Sequence, residues 1–428
     1  MTRLREGLAA LGETEFRKLF LGQAISVVGV MFTVVALPFA VLEIGGSATE
    51  IGIVEAAYVI PLTVFLLFGG VWADRLSRQK VMLAADFGRS ALQLTTAALL
   101  VTGVAQVWHL ALLQVGMGFC EAFFRPSYTG LVPEVVSGPR LQQANALQGL
   151  VMSGSITLGA TLAGLLVAAL GAGWAIGIDG LSYLVSAWFL WRLRPEAFMG
   201  LPAPTGRAAA TGGRSFLRDL AAGWREFTSH TWLWAMVAGV SVFLFAVEGP
   251  IQVLGPIVAR DVYDGARTWG LTSAAMGVGQ IAGGLLSLRW RPRRPLLVIG
   301  AGIGLAAFPV AFLALEVPVG MLYASLAAMG VVWGLYDPFW TTCMQREVAP
   351  EMISRVASYD YLGSLAFYPA GLALAGPLAD AFGVPTVRWG GAAAALGVAI
   401  ALVAVPDVRA PHAMGPAAEP VAEARSGD

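Results

Sequence analysis

Histidine, cysteine and lysine are all scarce in this sequence of 428 residues, and each scarcity removes a class of function. His109, His230 and His412 stand far apart, so no zinc or di-iron centre built on clustered histidines can be read from the chain, and no metal or other cofactor is expected. Cys120 and Cys343 both fall inside apolar stretches, where they read as small hydrophobes rather than as a disulfide. Neither Lys18 nor Lys80 follows a glycine. The Gly-Lys-Ser/Thr of a phosphate loop is therefore missing, which excludes an ATP-driven pump on this chain. Charge itself is short: 13% of residues are charged, against about a quarter in soluble domains. The 27 basic and 27 acidic residues cancel, so nothing points to a nucleic-acid partner. With 57% hydrophobic residues, a soluble fold of this length could not clothe its surface in polar groups. Lipid must cover it.

What is present is a succession of apolar runs, each near the roughly 20 residues that cross a bilayer core as a helix. They fall at 18–42, 51–73, 81–104, 108–132, 141–170 and 174–193, then at 231–259, 268–288, 295–315, 319–343, 355–379 and 386–405. The opening MTRLREGLAALGETEF carries acids and no small-residue cleavage site, so the first run is expected to stay as an anchor. The expectation is an all-α polytopic membrane protein of twelve transmembrane helices. It divides into a six-helix bundle at 1–193, a linker at 194–230, a second six-helix bundle at 231–405 and a disordered tail at 406–428. The linker begins rich in Pro, Gly and Ala and ends in the amphipathic pattern SFLRDLAAGWREF, which reads as a surface helix.

Arginine and lysine placement sets the expected orientation. With the N-terminus in the cytoplasm, twenty-two basic residues fall in cytoplasmic segments, while the outer side holds only Arg260, Arg267 and Arg388. One missed span would invert every later loop and destroy the bias. Twelve spans with both ends inside is the count that preserves it.

The halves echo one another. Pro38 and Pro250 stand at the same separation as Pro126 and Pro338, and Gly70 and Gly284 at the same separation as Gly149 and Gly363. Two parallel six-helix repeats are the architecture in which cargo binds between halves near mid-membrane. The loop after the second helix reads Gly69-Gly70-Val71-Trp72-Ala73-Asp74-Arg75-Leu76-Ser77-Arg78-Gln79-Lys80. Gly70 allows two helices to approach closely. Asp74 can accept from a neighbouring helix N-terminus, where Ser354 and Arg355 begin helix 11, and so latch the halves together. Arg75 and Arg78 supply counter-charge. An ordinary basic loop would need neither the glycine nor the aspartate. The equivalent loop of the second half keeps Gly283, Gly284 and Arg289 but has Leu288 at the aspartate position.

That loop resembles the signature of the major facilitator superfamily. The segments Phe124-Arg125-Pro126, Leu131-Val132-Pro133, Leu141 to Asn145, Gln345 to Arg355 and Ala375 to Ala379 are similar to its macrolide-efflux and enterobactin-exporter branch of drug:proton antiporters. The resemblance implies export of an amphipathic small molecule in exchange for protons, from a bacterial plasma membrane and by a monomer. The chain departs from antiporter patterns at three places. Helix 5 reads Gly159-Ala160 and Ala163-Gly164 without the expected proline. Helix 4 has Ala111 where drug exporters carry arginine, and Val30 follows Gly29 where many relatives carry aspartate.

Ionisable residues inside membrane helices are functional candidates by default. Asp86 and Arg89 on helix 3, and Glu121 and Arg125 on helix 4, are spaced to neutralise one another along a helix face. On the cytoplasmic side these two pairs read as structural pairing with the signature loop or as substrate contacts, and Asp337 and Asp360, which complete the candidate charge network there, read as gating charges. Glu55, Asp179 and Glu248 lie toward the outer half with no basic neighbour in sequence, which makes them candidates to carry a coupling proton. Glu248 leads, because its helix should line the cavity and Gly249-Pro250 beside it can break that helix; the plainer alternative is a solvated residue at a vestibule edge. Gln23, Trp333 and Tyr336 are candidate cavity contacts for an amphipathic ligand, although most aromatic residues here must face lipid or pack. Two rival functions stay open, a proton-coupled importer of a small metabolite and a non-transporting receptor or sensor. The aromatic and aliphatic central helices of the second half favour amphipathic cargo.

Overall fold

The computed structural model describes residues 9–137, 140–194, 213–349 and 352–410, with their side chains except at 9, 67–75, 142, 146, 213–220, 354 and 355. Among the described residues there is no strand. The described residues contain twelve long helical passages. The first six are α1 (Thr14–Glu43), α2 (Ala48–Arg75), α3 (Arg78–Val101), α4 (Val107–Val135), α5 (141–170) and α6 (Ala172–Trp191). The second six are α7 (Thr231–Val262), α8 (Ala266–Ser287), α9 (Pro295–Leu315), α10 (Val319–Glu347), α11 (353–382) and α12 (Val384–Ala404). An even number of crossings leaves the start of α1 and the end of α12 at one face, called here the terminal face; the opposite one is the far face.

Ten of these passages are long and apolar enough to cross a membrane. The other two, α3 and α8, have 24 and 22 residues, which at about 1.5 Å per residue also span the core. Their apolarity is low because protein surrounds much of them. α3 buries Asp86, Arg89 and Gln93 among its neighbours. α8 packs backbone to backbone on α10: Gly279 and Gly283 rest on Ala327 and Val331, and Gly330 and Gly334 rest on Met276 and Gln280. Any Cβ at these positions would strike a carbonyl.

Several helices change course where their sequence removes a hydrogen bond. Pro250 has no N–H for the Ala246 carbonyl, and the preceding residues Leu244–Glu248 widen into a π-helical turn. Pro369 stands in the first turn of Tyr368–Phe382, so α11 breaks after Leu365. α5 has its own π turn at Ser155–Gly159, in a run of Gly, Ser and Thr. The linker ends in a helix at Gly213–Ser229 whose Trp224 and Phe227 pack on Tyr359 of α11, with ring centroids 5.4 and 6.0 Å away. The segment expected to be disordered from 406 instead begins as a helical turn, Pro406–Arg409, with Val408 fully buried. The rest of that tail and the linker at 195–212 lie outside the described residues.

The first and last six helices meet at the far face. Gly52 of α2 backs onto the Leu372 carbonyl of α11, and Gly376 of α11 onto the backbone of Thr49, whose hydroxyl donates to Asp380 at 3.0 Å. On the other flank Gly164 of α5 faces Gly270 of α8. One buried cluster runs across this junction, joining Val35, Val41, Ile51 and Val54 to Val253, Leu254, Trp269 and Leu372. The far face is therefore sealed by helix contact. A side chain at Gly164 would meet the Ala266 carbonyl at 2.5 Å and Gly270 at 3.0 Å, within the contact that joins the two groups of helices. Gly164→Leu is expected to yield folded protein whose sealed state is disfavoured by about 1–3 kcal/mol, a roughly 5- to 150-fold shift in the closing equilibrium. Cross-linking of a cysteine pair across the α5–α8 contact should report this as a matching loss of yield.

Candidate functional site at the seam

Three clusters of side chains lie along the interior, and the first two reach across the seam between the two sets of helices. The first belongs to α3 and α4. Arg89 forms an ion pair with Asp86 one turn before it and donates to Glu121 Oε2 of α4 at 2.6 Å. Arg125 Nε donates to Glu121 Oε1 at 2.7 Å. The Arg89 guanidinium is sandwiched by rings, its Cζ 3.9 Å from the centroid of Phe124 and 4.4 Å from that of Tyr183. Asp86–Arg89–Glu121–Arg125 is thus one alternating chain of charge across two helices. Its last member is half exposed and crosses the seam, donating to the Tyr361 hydroxyl of α11 at 3.4 Å. Tyr58 of α2 also lies in reach of Arg125.

The second group lies toward the sealed face. Glycine contacts bring three helices together there: Gly52 sets α2 on α11, and Gly249 sets α7 on α11, where a Cβ would come within 2.7 Å of Gly371. Within one turn of those contacts stand Glu55 on α2, Glu248 on α7 and Tyr368 on α11. The Tyr368 phenol is in electrostatic range of both carboxylates. Glu248 accepts a hydrogen bond from Gln252 Nε2 at 2.8 Å. Glu55 makes no hydrogen bond or ion pair among the described residues. Two half-buried carboxylates, one from each half of the chain, thus flank one phenol where the halves close.

The third group is aromatic and belongs to α7 and α10. Phe243, Trp333, Tyr336 and Trp340 follow one another at centroid spacings of 5.7, 5.3 and 6.0 Å, and Trp232 lies 5.5 Å beyond Trp340. Trp340 Nε1 donates to Asp360 at 2.9 Å, and the Tyr336 phenol feels both Asp360 and the exposed Asp337. A small crevice, about 10 Å³, lies beside Phe243, Met329, Trp333 and Tyr336.

The remaining residues singled out from sequence are dispersed. Gln23 is buried inside the first six helices and donates to Ser186 of α6 at 3.1 Å. Asp179 is fully buried between α1, α3 and α6. Arg78 of the signature loop donates to the Gly130 carbonyl and to Glu134 of α4, at 2.7 and 2.8 Å. The side chains of Asp74 and Arg75 and the surroundings of Gly70, like Ser354 and Arg355 of the expected latch, lie outside the described part of the structure. Sequence reasoning missed Tyr361 and Tyr368, which link the helices across the seam, and Gln93, which bonds to Asp179. Only their positions on interior helices could have flagged them.

A sealed bundle of membrane helices with ionisable groups at its seam fits a membrane transporter, and the family and relatives of the chain show that it is one rather than an enzyme. The chain belongs to the major facilitator superfamily: the family model of the Major Facilitator Superfamily matches residues 19–364. It is 30% identical over 366 residues to the multidrug efflux pump Tap of Mycolicibacterium fortuitum, covering 82% of this chain and 86% of that one. It is 25% identical to macrolide efflux protein A of Streptococcus pyogenes, over 86% and 90% of the two chains. To the enterobactin exporter EntS of Citrobacter koseri it is 26% identical, over 80% and 79%. Among solved structures, a bacterial homolog of the human lysosomal transporter Spinster, inward-facing and unoccupied, superimposes with a TM-score of 0.67 at 17% identity, over 91% and 94% of the chains. The nucleoside transporter NupG gives 0.69 at 13% identity, over 91% and 98%. These two share the fold.

Proposed function

We propose that the protein exports an amphipathic small molecule, a drug, antibiotic, siderophore or other secondary metabolite, from a bacterial cell in exchange for protons, by alternating access. The observation that carries this reading is that relatives named for three different cargoes share one direction, export, over about four-fifths or more of this chain. The run of aromatic rings from Phe243 to Trp340 supports an amphipathic cargo, since aromatic surface binds flat apolar groups without demanding one hydrogen-bond pattern. Glu55 and Glu248 support proton exchange. They stand on opposite sides of the seam, where a change in charge alters the free energy of closing. The terminal face is cytoplasmic on the arginine bias, so the far-face seal gives an inward-facing state. The protein works as a monomer in the plasma membrane, with the Asp74 loop as a cytoplasmic latch.

The test is accumulation of candidate compounds in cells with and without the gene. Cells making the protein should hold less cargo, and a protonophore should abolish the difference. Equal accumulation, or lowering that survives the protonophore, would overturn export or proton exchange respectively. Orientation has its own check. Reporter fusions after Gly213 and after Asp428 should read cytoplasm, and one after Asp264 the outside. An outside reading at Gly213 would sink the assignment.

A further inference from the structure

Asp179 lies away from the seam, where α1, α3 and α6 meet, and its surroundings have more structure than a packing role needs. Thr33 Oγ1 of α1 donates to its Oδ2 at 2.6 Å. Gln93 Nε2 of α3 donates to the same oxygen at 2.8 Å and to Thr33 Oγ1 at 2.8 Å. Ser182 of α6 donates to the Asp179 backbone carbonyl at 2.7 Å, with its hydroxyl 3.4 Å from Oδ1. Gly29 makes the site possible, since any side chain there would collide with Ser182 Oγ and with the Asp179 carboxylate.

The charged groups around it can be named helix by helix. On α3, Arg89 is in electrostatic range, but its guanidinium is committed to Asp86 and Glu121. On α6 the neighbour is Tyr183, which also feels Glu121 of α4. α1 has no titratable residue between Lys18 and Glu43, and α5 has none at all. Among the described residues no cation touches Asp179; its donors, the Thr33 and Ser182 hydroxyls and the Gln93 amide, are all neutral. A buried carboxylate held only by neutral donors keeps a charge that nothing at contact distance cancels.

The second observation is the other end of the Gln93 amide. Its Oε1 is buried and has no hydrogen-bond partner, in a side chain only 1% exposed. An amide offers donors at one end and an acceptor at the other, whereas an ionised carboxylate only accepts. As placed, Nε2 serves the ionised form and Oε1 is left without a partner, a costly arrangement for a buried polar atom. The neutral acid has an O–H to donate and needs an acceptor. Half a turn about the terminal torsion of Gln93 brings Oε1 to where Nε2 now stands. The orphaned oxygen is the half of the amide that the protonated form uses.

We propose that Asp179 is a proton-binding site inside the first six helices, and that the Gln93 amide turns over to match its protonation state. One proton adds to a carboxylate oxygen, the charge disappears, and the new O–H donates to Gln93 Oε1; release reverses each change. Thr33 carries the event to α1. Phe32, Val35 and Ala36 beside it belong to the buried cluster that joins both sets of helices at the far face. The site thus touches the seal without lying in it. Its purpose rests on the proton-exchange reading, but its protonation can be read on resting protein.

Infrared difference spectra of the full chain in lipid nanodiscs, recorded between mildly acidic and mildly alkaline pH, test the site. The wild type should show a titrating carboxylic-acid band that Asp179→Asn loses and Glu248→Gln keeps. Gln93→Met fills the same space and neither donates nor accepts. It should keep the band with its midpoint raised by less than about one pH unit, because a switching amide bonds to both protonation states, whereas an amide fixed on the charged form would be worth about one to two units. Because Asp179→Asn could fail to fold, Gln93→Met tests the site alone, and a rise of about one to two pH units there overturns the amide switch. Identical wild-type and Asp179→Asn spectra overturn the proton site. So does a spectral change that follows sodium at fixed pH, which would make it a metal-cation site. An Asp179 band alongside transport that ignores the proton gradient counts for the site and against antiport.

Discussion

Arg89→Met should cost about 3–5 kcal/mol of stability, the usual penalty for removing one partner of a buried ion pair. The guanidinium is 3% exposed and bridges two carboxylates, and the two carboxylates differ in what they keep when it is gone. Glu121 retains Arg125 at 2.7 Å. Asp86 is fully buried, and Arg89 is the ion-pair partner it loses. The damage therefore concentrates on Asp86, which gives the prediction an internal control. Asp86→Asn alone should be mild, because Arg89 still has Glu121. The double variant Asp86→Asn with Arg89→Met should be more stable than Arg89→Met by itself, since it removes the stranded charge. Thermal unfolding in detergent, scored as a double-mutant cycle, measures the coupling. If the double variant is as unstable as the sum of the singles, the lost rings-and-guanidinium packing on Phe124 and Tyr183 is the larger effect.

That network shows how far the sequence could be read. The spacings Asp86–Arg89 and Glu121–Arg125 are visible in one dimension, because a helix brings residues three and four apart onto one face. The bond that joins the two pairs, Arg89 to Glu121, is not, because it depends on how α3 lies on α4. The same boundary runs through the fold. Twelve passages are legible because lipid imposes length and apolarity on each. α3 and α8, the two least apolar, are read as apolar runs with the others, and the arginine bias supports counting them. The break in α7 is legible in Gly249-Pro250, but its form, a π turn ending at Glu248, is not. Least legible is the pairing of distant positions. Glu55, Glu248 and Tyr368 come from three helices, and only the close glycine contacts of α2 and α7 with α11 bring them near one another. Gln23 reads from sequence as a polar residue on a cavity helix; in the fold its amide is spent on Ser186.

Glu248→Gln should abolish proton-driven efflux while leaving the protein folded and still able to bind cargo. The substitution keeps the size of the side chain and can retain a hydrogen bond with Gln252, now 2.8 Å from the carboxylate, so the α7 turn has little reason to rearrange. What it removes is the capacity to change charge. A carrier that must take a proton at one face and release it at the other is then fixed in the neutral form. It can shuttle cargo down a gradient but cannot be driven against one, because no free energy from the proton gradient enters the cycle. Two readings separate this from simple damage. Exchange of labelled for unlabelled cargo should continue, and the pH dependence of transport should flatten, because the group that titrates is gone. Glu55→Gln supplies the contrast. It lies across the seam from Glu248 and shares Tyr368 with it, so if both carboxylates must be neutral for the seal to form, either single variant gives the same loss. If Glu248→Gln still pumps against a gradient with unchanged pH dependence while Glu55→Gln does not, the seam proton belongs to the first half of the chain. If neither variant matters, the coupling charge lies off the seam, and Asp179 becomes the carboxylate on which transport must depend.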